Sequence, residues 1–191
     1  CLFMHTDPND PHGQPLTYLS EMLGYKEGEL VLSTQKLPPQ QLSLLYNVAD
    51  CTINISDAEG FGLATLESLS CETPIIVNMT GGLQEQVTDG EEWFGIGLTP
   101  ASKAIIGSQQ VPYIYEDRLN KEDFISALLE MYNKTPDQLA ELGRKGKEHV
   151  ERNYSFQAFN EQWINLMTNI HEKYGSWDTR KNYKNLRVKE L

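Results

Sequence analysis

The 191-residue sequence lacks two features that would place it in common classes of protein. No run of residues approaches the roughly 20 apolar positions that are needed to cross a bilayer. Basic residues are also few, because 16 Lys and Arg stand against 27 Asp and Glu and give a formal net charge of −11. A nucleic-acid-binding surface needs clustered basic side chains to neutralise phosphates. We therefore predict a soluble protein that has no nucleic-acid partner.

Cysteine is scarce as well, and its spacing argues against two further kinds of site. Cys1, Cys51 and Cys71 are odd in number and lack metal-ligand spacing, which predicts neither a disulfide framework nor a zinc site. We expect Cys51 and Cys71 to be reduced packing residues. No secretory signal is recognisable, so a cytoplasmic location is favoured, with peripheral membrane association as the alternative. The chain starts without Met in a strand-like run, and we expect it to be part of a longer protein.

The first half of the sequence alternates short apolar runs with helical patterns. Strands are predicted at 1–5, 29–32, 51–55 and 74–78, and helices at 16–23, 40–47, 60–71 and 82–88. Strands and helices at this spacing form right-handed βαβ units, which place helices on both faces of a parallel sheet. We predict a Rossmann-like α/β domain over residues 1–174. Such sheets bind ligands at the carboxyl ends of their strands.

The second half of the sequence is less regular. Residues 91–116 are interrupted by glycine and proline and are predicted to be mostly loop, an insertion in which Trp93 and Tyr113 pack locally. Helices are predicted at 121–133, 135–151 and 155–174, followed by a polar tail at 175–191. The last helix has an apolar stripe that we expect to lie in the core, made of Phe156, Phe159, Trp163, Leu166, Met167 and Ile170.

A glycine-rich turn between the third predicted strand and the next helix is the most informative segment. Gly60 and Gly62 allow backbone amides to approach a ligand closely, and a helix N-terminus offers free N–H donors to an anion. Glu59 precedes this helix and Glu67 lies inside it, roughly 12 Å further along the helix axis. Carboxylates accept hydrogen bonds from paired hydroxyl groups. A diphosphate on the amides, with a sugar at one end and a ribose at the other, would suit this spacing.

A second glycine turn supports the same interpretation. The apolar run Ile75–Val77 leads to Gly81 and Gly82, which open another helix. Because the carboxyl ends of adjacent parallel strands meet at one edge of a sheet, we expect both turns to serve one cleft.

These motifs carry a resemblance to a known family. The run Ser56-x-x-Glu59-Gly60-Phe61-Gly62-Leu63-x-x-Leu66-Glu67-Ser68, followed by Pro74-Ile75-Ile76 and Gly81-Gly82-x-x-Glu85-x-Val87, resembles the C-terminal domain of family 4 retaining glycosyltransferases. These enzymes have the double-Rossmann architecture called GT-B. The similarity covers roughly residues 1–90 and 120–172. It implies transfer of a sugar from a nucleotide-diphosphate donor to an acceptor glycan, lipid or small molecule, with retention of configuration.

The resemblance also implies roles for individual residues. Glu59 would be the catalytic-site carboxylate that contacts donor-sugar hydroxyls, and Glu67 would bind the ribose. No cofactor is implied, and a metal is usually not required. The remaining implied contacts are the amides of Gly60, Phe61 and Gly62 to the sugar, those of Leu63 and Ala64 to the diphosphate, and the loop of Lys36 and Leu37 to the base.

Departures from the family pattern leave alternatives open. The Arg and Lys that neutralise the diphosphate in the family are expected before Cys1, together with the acceptor-binding N-terminal domain, and Lys36 is the nearest basic candidate here. His12 is a further candidate for a catalytic base. One alternative function is a non-catalytic module that binds nucleotides or sugar phosphates. Another is an interaction domain that uses the C-terminal helices.

Overall fold

The computed structural model describes residues 1–11 and 13–182. The strands in this part of the chain are β1 (Leu2–His5), β2 (Leu30–Ser33), β3 (Thr52–Asn54), β4 (Ile75–Asn78), β5 (Gly95–Leu98), β6 (Ser102–Ile106) and β7 (Ile114–Arg118). The helices are α1 (Leu16–Leu23), α2 (Pro39–Val48), α3 (Leu63–Ser70), α4 (Leu83–Val87), α5 (Lys121–Tyr132), α6 (Pro136–Asn153) and α7 (Phe156–Tyr174). The predicted strands and helices of the first half are confirmed. No described helix combines the length and apolar character that a membrane crossing requires.

Residues Cys1–Leu42 form one compact unit. In this unit β1 and β2 pair in parallel, with Phe3 opposite Val31. Helix α1 connects the two strands and ends at Gly24, whose φ of 73° is in the left-handed region that favours glycine. The unit is therefore a βαβ element, as the alternating pattern predicted.

Residues Ser43–Leu191 form the second unit, whose centre is a three-stranded parallel sheet in the order β3-β4-β5. All four residues of β4 are buried, because helices cover both faces of the sheet. Ile75 and Val77 pack on one side with Leu69 of α3, Leu83 of α4 and other residues. Ile76 points to the other side, where a separate cluster joins it to Leu98 of β5 and to Ala127 and Met131 of α5.

Helix α6 packs against the sheet side that carries α3. Thr135 and Gln138 form a capping box at its start, and Pro136 occupies the first turn, as predicted. Two glycines allow the close approach to α3. A Cβ on Gly143 would lie 1.8 Å from the Glu72 carbonyl oxygen, and one on Gly146 would lie 2.5 Å from Leu69. Helix α6 therefore fixes the position of α3 through the backbone of Glu72, just after α3, and through the side chain of Leu69.

The prediction that residues 91–116 are mostly loop missed three strands, although just over half of these residues lie outside strands. They contain β5, β6 and the start of β7, and β6 and β7 form an antiparallel hairpin with Ala104 opposite Glu116. Pro100, Gly107 and Pro112 lie between the strands, where turns need them, while the isoleucines and Tyr115 lie within the strands. Tyr113 does not pack locally as expected, since it is 76% exposed in the hairpin turn.

The expectation that the stripe of α7 lies in the core is also wrong. None of the residues of α7 is buried, and Phe156 and Trp163 are 88% and 49% exposed. The apolar spacing correctly predicted a helix. It did not show that the apolar face of α7 stays exposed within residues 1–11 and 13–182.

The cysteines fit the expectation of unpaired packing residues. Cys51 and Cys71 are free and partly buried, and Cys51 packs against the cluster around Ile76. Burial raises the pKa of both thiols, and this direction disfavours the thiolate that a nucleophile requires.

Candidate functional site

The N-terminus of α3 is open at the carboxyl end of β3. Gly62 caps the helix with φ 90° and ψ 61°, in the left-handed region that a side chain strongly disfavours. Within residues 43–182, no group accepts a hydrogen bond from the amides of Phe61, Gly62, Leu63 or Ala64. Unpaired amides and the positive end of the helix dipole together favour an anion at this position.

The second glycine turn packs directly on the first. A Cβ on Gly81 would lie 1.6 Å from the carbonyl oxygen of Glu59, and one on Gly82 would lie 2.5 Å from that of Phe61. The amide of Gly82 donates a hydrogen bond of 3.2 Å to the Gly60 carbonyl. The expectation that the two turns meet at one edge of the sheet is confirmed. Their contact needs glycine, since any side chain would displace the backbone of the first turn.

A buried side chain of α4 is hydrogen-bonded to the first glycine turn. Gln86 is 0% exposed, and its Nε2 donates a hydrogen bond of 2.5 Å to the carbonyl oxygen of Phe61. Its Oε1 accepts from the hydroxyl group of Thr65, which also contacts the Gly62 carbonyl at 2.8 Å. No local pattern in the sequence indicates this network, because a glutamine in a short helix is usually a surface residue.

The two glutamates lie on either side of the open amides along the chain. Glu59 is partly buried, and within residues 43–182 no side chain or amide binds its carboxylate. Glu67 is exposed, and its Oε2 accepts a hydrogen bond of 2.8 Å from the Tyr46 hydroxyl. Burial and the neighbouring Glu67 carboxylate raise the pKa of Tyr46 above its ordinary range, so the phenol stays a donor. Glu67 is therefore oriented by Tyr46 and keeps its second oxygen open.

The β6–β7 hairpin anchors the segment that leads into the first turn. The amide of Asp117 donates to the Asp57 carbonyl at 2.7 Å, and Arg118 pairs with the Asp57 carboxylate at 3.2 Å.

Asn78, which is fully buried at the end of β4, donates from Nδ2 to the carbonyls of Ser56 and Asp117 at 2.9 and 2.7 Å. Thr80 adds a hydrogen bond of 2.8 Å to the Asp117 carboxylate. These residues, missed by sequence reasoning, fix the path of the chain toward Glu59.

The aromatic ring of Phe61 extends the site toward α6. It is 49% exposed and meets the ring of Tyr154 edge to face, with centroids 6.1 Å apart. The Tyr154 hydroxyl donates to the Glu85 carbonyl at 3.3 Å, which ties this ring to α4.

The other predicted site residues remain predictions. Lys36 and Leu37 lie between β2 and α2 in the Cys1–Leu42 unit, with Lys36 exposed and Leu37 partly buried. His12 lies outside the described residues, as do residues 183–191 of the predicted tail. Among the described residues, no group of three or more His, Cys, Asp or Glu is arranged to hold a metal ion.

Parallel βαβ elements with an open helix N-terminus at the strand ends define a Rossmann-like domain with unpaired amides at its first glycine turn. Residues 13–149 match the family model described as "Glycosyl transferases group 1". Since this match covers well over half of the sequence, the chain belongs to the glycosyl transferases group 1 family.

Individual relatives agree with this family. The chain is 41% identical over 63 residues to D-inositol 3-phosphate glycosyltransferase of Acidothermus cellulolyticus. These residues make up 33% of the chain and 14% of that relative. Sucrose-phosphate synthase from Thermosynechococcus elongatus has a similar fold, with a TM-score of 0.63 and 21% identity over 90% of the chain and 38% of the synthase. The catalytic domain of starch synthase IV from Arabidopsis thaliana, bound to ADP and acarbose, gives a TM-score of 0.57 at 18% identity over 83% and 30% of the two chains. The chain thus spans well under half the length of these proteins and has the fold of the C-terminal portion of GT-B glycosyltransferases.

Proposed function

We propose that this chain binds a nucleotide-diphosphate sugar at the N-terminus of α3, and that the full-length protein transfers the sugar with retention of configuration. The observation that carries the proposal is the set of unpaired amides from Phe61 to Ala64, held between Glu59 and Glu67. The family assignment and the ADP named with the starch synthase support it.

The binding mode follows from the chemistry of these groups. The amides of Leu63 and Ala64 donate to the diphosphate at the positive end of α3, and those of Gly60, Phe61 and Gly62 face the sugar. Glu59 accepts hydrogen bonds from sugar hydroxyls. Glu67, oriented by Tyr46, accepts them from the ribose through its open oxygen. Lys36 and Leu37 are proposed to lie near the base.

The proposed chemistry is electrostatic. When the bond between the anomeric carbon and the diphosphate breaks, negative charge grows on the leaving group and positive charge on the sugar ring. Fixed amides stabilise the leaving diphosphate, and the Glu59 carboxylate stabilises the cationic sugar, so no enzymatic nucleophile and no metal are needed. The acceptor, a glycan, lipid or small molecule, would be bound by other parts of the full-length protein. A cytoplasmic location is part of the same proposal, with peripheral membrane association of the full-length protein as the alternative.

The test uses the full-length protein with UDP-glucose, GDP-mannose and ADP-glucose as probes. We expect Glu67→Ala to weaken nucleotide binding about tenfold in calorimetry, because the ribose contact is lost. Glu59→Gln should lower turnover of the preferred donor by about 100-fold while nucleotide affinity stays nearly constant, because its contact is to the sugar. Glu130→Gln on α5, whose carboxylate pairs with Lys134 just after the helix, is the control. If neither Glu59 nor Glu67 affects binding or turnover, the proposal is wrong.

The exposed face of α7 favours a second candidate, an interaction domain that associates with a second copy through this helix. Large apolar side chains such as Trp163 and Met167 are 49% and 59% exposed, and contiguous apolar patches often mark protein contacts. This candidate predicts a sedimentation coefficient that rises with protein concentration in the absence of any nucleotide.

A further inference from the structure

The buried amide group of Gln86 is placed to control one peptide of the proposed donor site. Its two ends have fixed roles, because the Phe61 carbonyl can only accept and must therefore face the NH₂ group of the amide. The Oε1 end then faces the Thr65 hydroxyl, which is a donor. Both ends are satisfied in a side chain that is 0% exposed, so the network has one favourable arrangement.

The bond to Phe61 also fixes the amide of Gly62. In a trans peptide the C=O and N–H groups point in opposite directions, so a carbonyl held by Gln86 directs the Gly62 N–H away from Gln86. Gly62 has φ 90° and no side chain to resist rotation of this peptide. If the peptide flipped, its N–H would meet the NH₂ group of Gln86, donor against donor.

We propose that Gln86 is a positioning residue. It holds the Phe61–Gly62 peptide with its N–H toward the donor sugar and toward the oxygen that links the sugar to the diphosphate. This inference rests on the proposed function. Gln86 acts through Phe61 and touches no substrate. Its effect is greatest on turnover, because a fixed amide stabilises developing charge more than it binds the ground state.

Matched substitutions separate positioning from general stability. Gln86→Met keeps the length of the side chain but removes the donor, and Gln86→Glu places an acceptor against the Phe61 carbonyl. Val87→Ala is the control, since Val87 is equally buried on α4 and its side chain makes only apolar contacts. Thr65→Val removes the hydroxyl that contacts both the Gln86 amide and the Gly62 carbonyl. It provides a milder variant should the Gln86 changes prevent folding.

The assay is donor hydrolysis by the full-length protein, in which water attacks the anomeric carbon and releases the free sugar and the nucleoside diphosphate. The donor is whichever of UDP-glucose, GDP-mannose and ADP-glucose the unchanged protein binds. We expect kcat to fall at least tenfold in Gln86→Met, further in Gln86→Glu, and about threefold in Thr65→Val. KM and the affinity for the matching nucleoside diphosphate should change less than threefold. Val87→Ala should lower the melting temperature but leave kcat unchanged below it.

The outcomes distinguish the inference from the proposed function. If none of the three donors binds the unchanged protein, the proposed function fails and the inference fails with it. If a donor binds and is hydrolysed, but folded Gln86→Met or Thr65→Val protein keeps the full kcat, only the inference is overturned. The inference is also overturned if Val87→Ala lowers kcat as much as Gln86→Met does, because the role of Gln86 would then be structural.

Discussion

Helices α3 and α7 differ in what surrounds them more than in their apolar content. Four of the eight residues of α3 are buried, whereas none of the 19 residues of α7 is. Helix α3 is enclosed by β3, β4, α4 and α6. The glycine turn that precedes it packs against Gly81 and Gly82 of the second glycine turn. A helix of this fold is therefore held in place by close backbone contact with neighbouring elements, which amphipathic spacing alone does not provide.

The largest expected effect is at the contact between the two glycine turns. Gly81→Ala would place a Cβ 1.6 Å from the Glu59 carbonyl, at a φ of 50° that already strains a side chain. We expect a loss of about 3 kcal/mol or more in the free energy of unfolding, together with loss of nucleotide binding. Gly90→Ala is the matched control, because Gly90 has φ 94° but nothing within 4 Å of its Cβ position. It should cost about 1 kcal/mol in urea denaturation. Equal costs for the two variants would show that the turns are not in close contact.

A pair of identical substitutions tests the contrast between the core and α7. Ile76 is fully buried in β4, and Ile170 of α7 is 44% exposed. We expect Ile76→Ala to lower the free energy of unfolding by about 3–4 kcal/mol, since it opens a cavity between the sheet and α5. Ile170→Ala should cost about 1 kcal/mol or less. The measurement is urea denaturation of the 191-residue chain at low concentration. A cost at Ile170 that approaches the core value would mean that the α7 face is covered in solution.

The sequence predicted those parts of the fold in which local pattern and tertiary packing agree. The β-branched run at Ile75–Val77 is apolar on both faces, and this pattern requires helices above and below the sheet. The glycines at Gly62, Gly81 and Gly82 marked the turns, because left-handed or close-packed backbone selects glycine wherever it occurs. Both signals are contained in a few neighbouring residues.

What the sequence did not reveal depends on contacts between distant residues. Gln86 reaches Phe61 across 25 positions, and Asn78 reaches Asp117 across 39. A polar residue in a short helix or at a strand end has no local feature that shows it to be buried. The hairpin was missed for a related reason, since Pro100, Gly107 and Pro112 suggested a loop although they only separate β5, β6 and β7.

The smallest expected effect concerns two histidines, one on the packed helix α6 and one on the exposed helix α7. His149 of α6 is buried and stacks on Phe94 with ring centroids 4.4 Å apart, whereas His171 of α7 is exposed. The neutral ring of His149 satisfies both nitrogens, as Nε2 donates to the Glu85 carbonyl at 2.9 Å and Nδ1 accepts from Asn153 at 3.0 Å. Burial lowers the pKa of His149 below its ordinary value of 6.5, despite the opposing influence of the Glu85 carbonyl and Asp89.

Because the pKa of His149 is lower in the folded state, the unfolded chain takes up its proton first as the pH falls. The stability that the neutral ring contributes is therefore complete above about pH 6.5 and is lost progressively below it. Urea midpoints between pH 7.5 and 5.5 should fall for the unchanged chain and fall less for His149→Gln, while His171→Gln should follow the unchanged chain. His149→Gln also loses the stacking on Phe94, so its midpoint at pH 7.5 should be lower, and only the slope with pH tests the prediction. Parallel slopes for all three proteins would show that His149 takes up its proton equally in the folded and unfolded states, as a solvent-exposed histidine would.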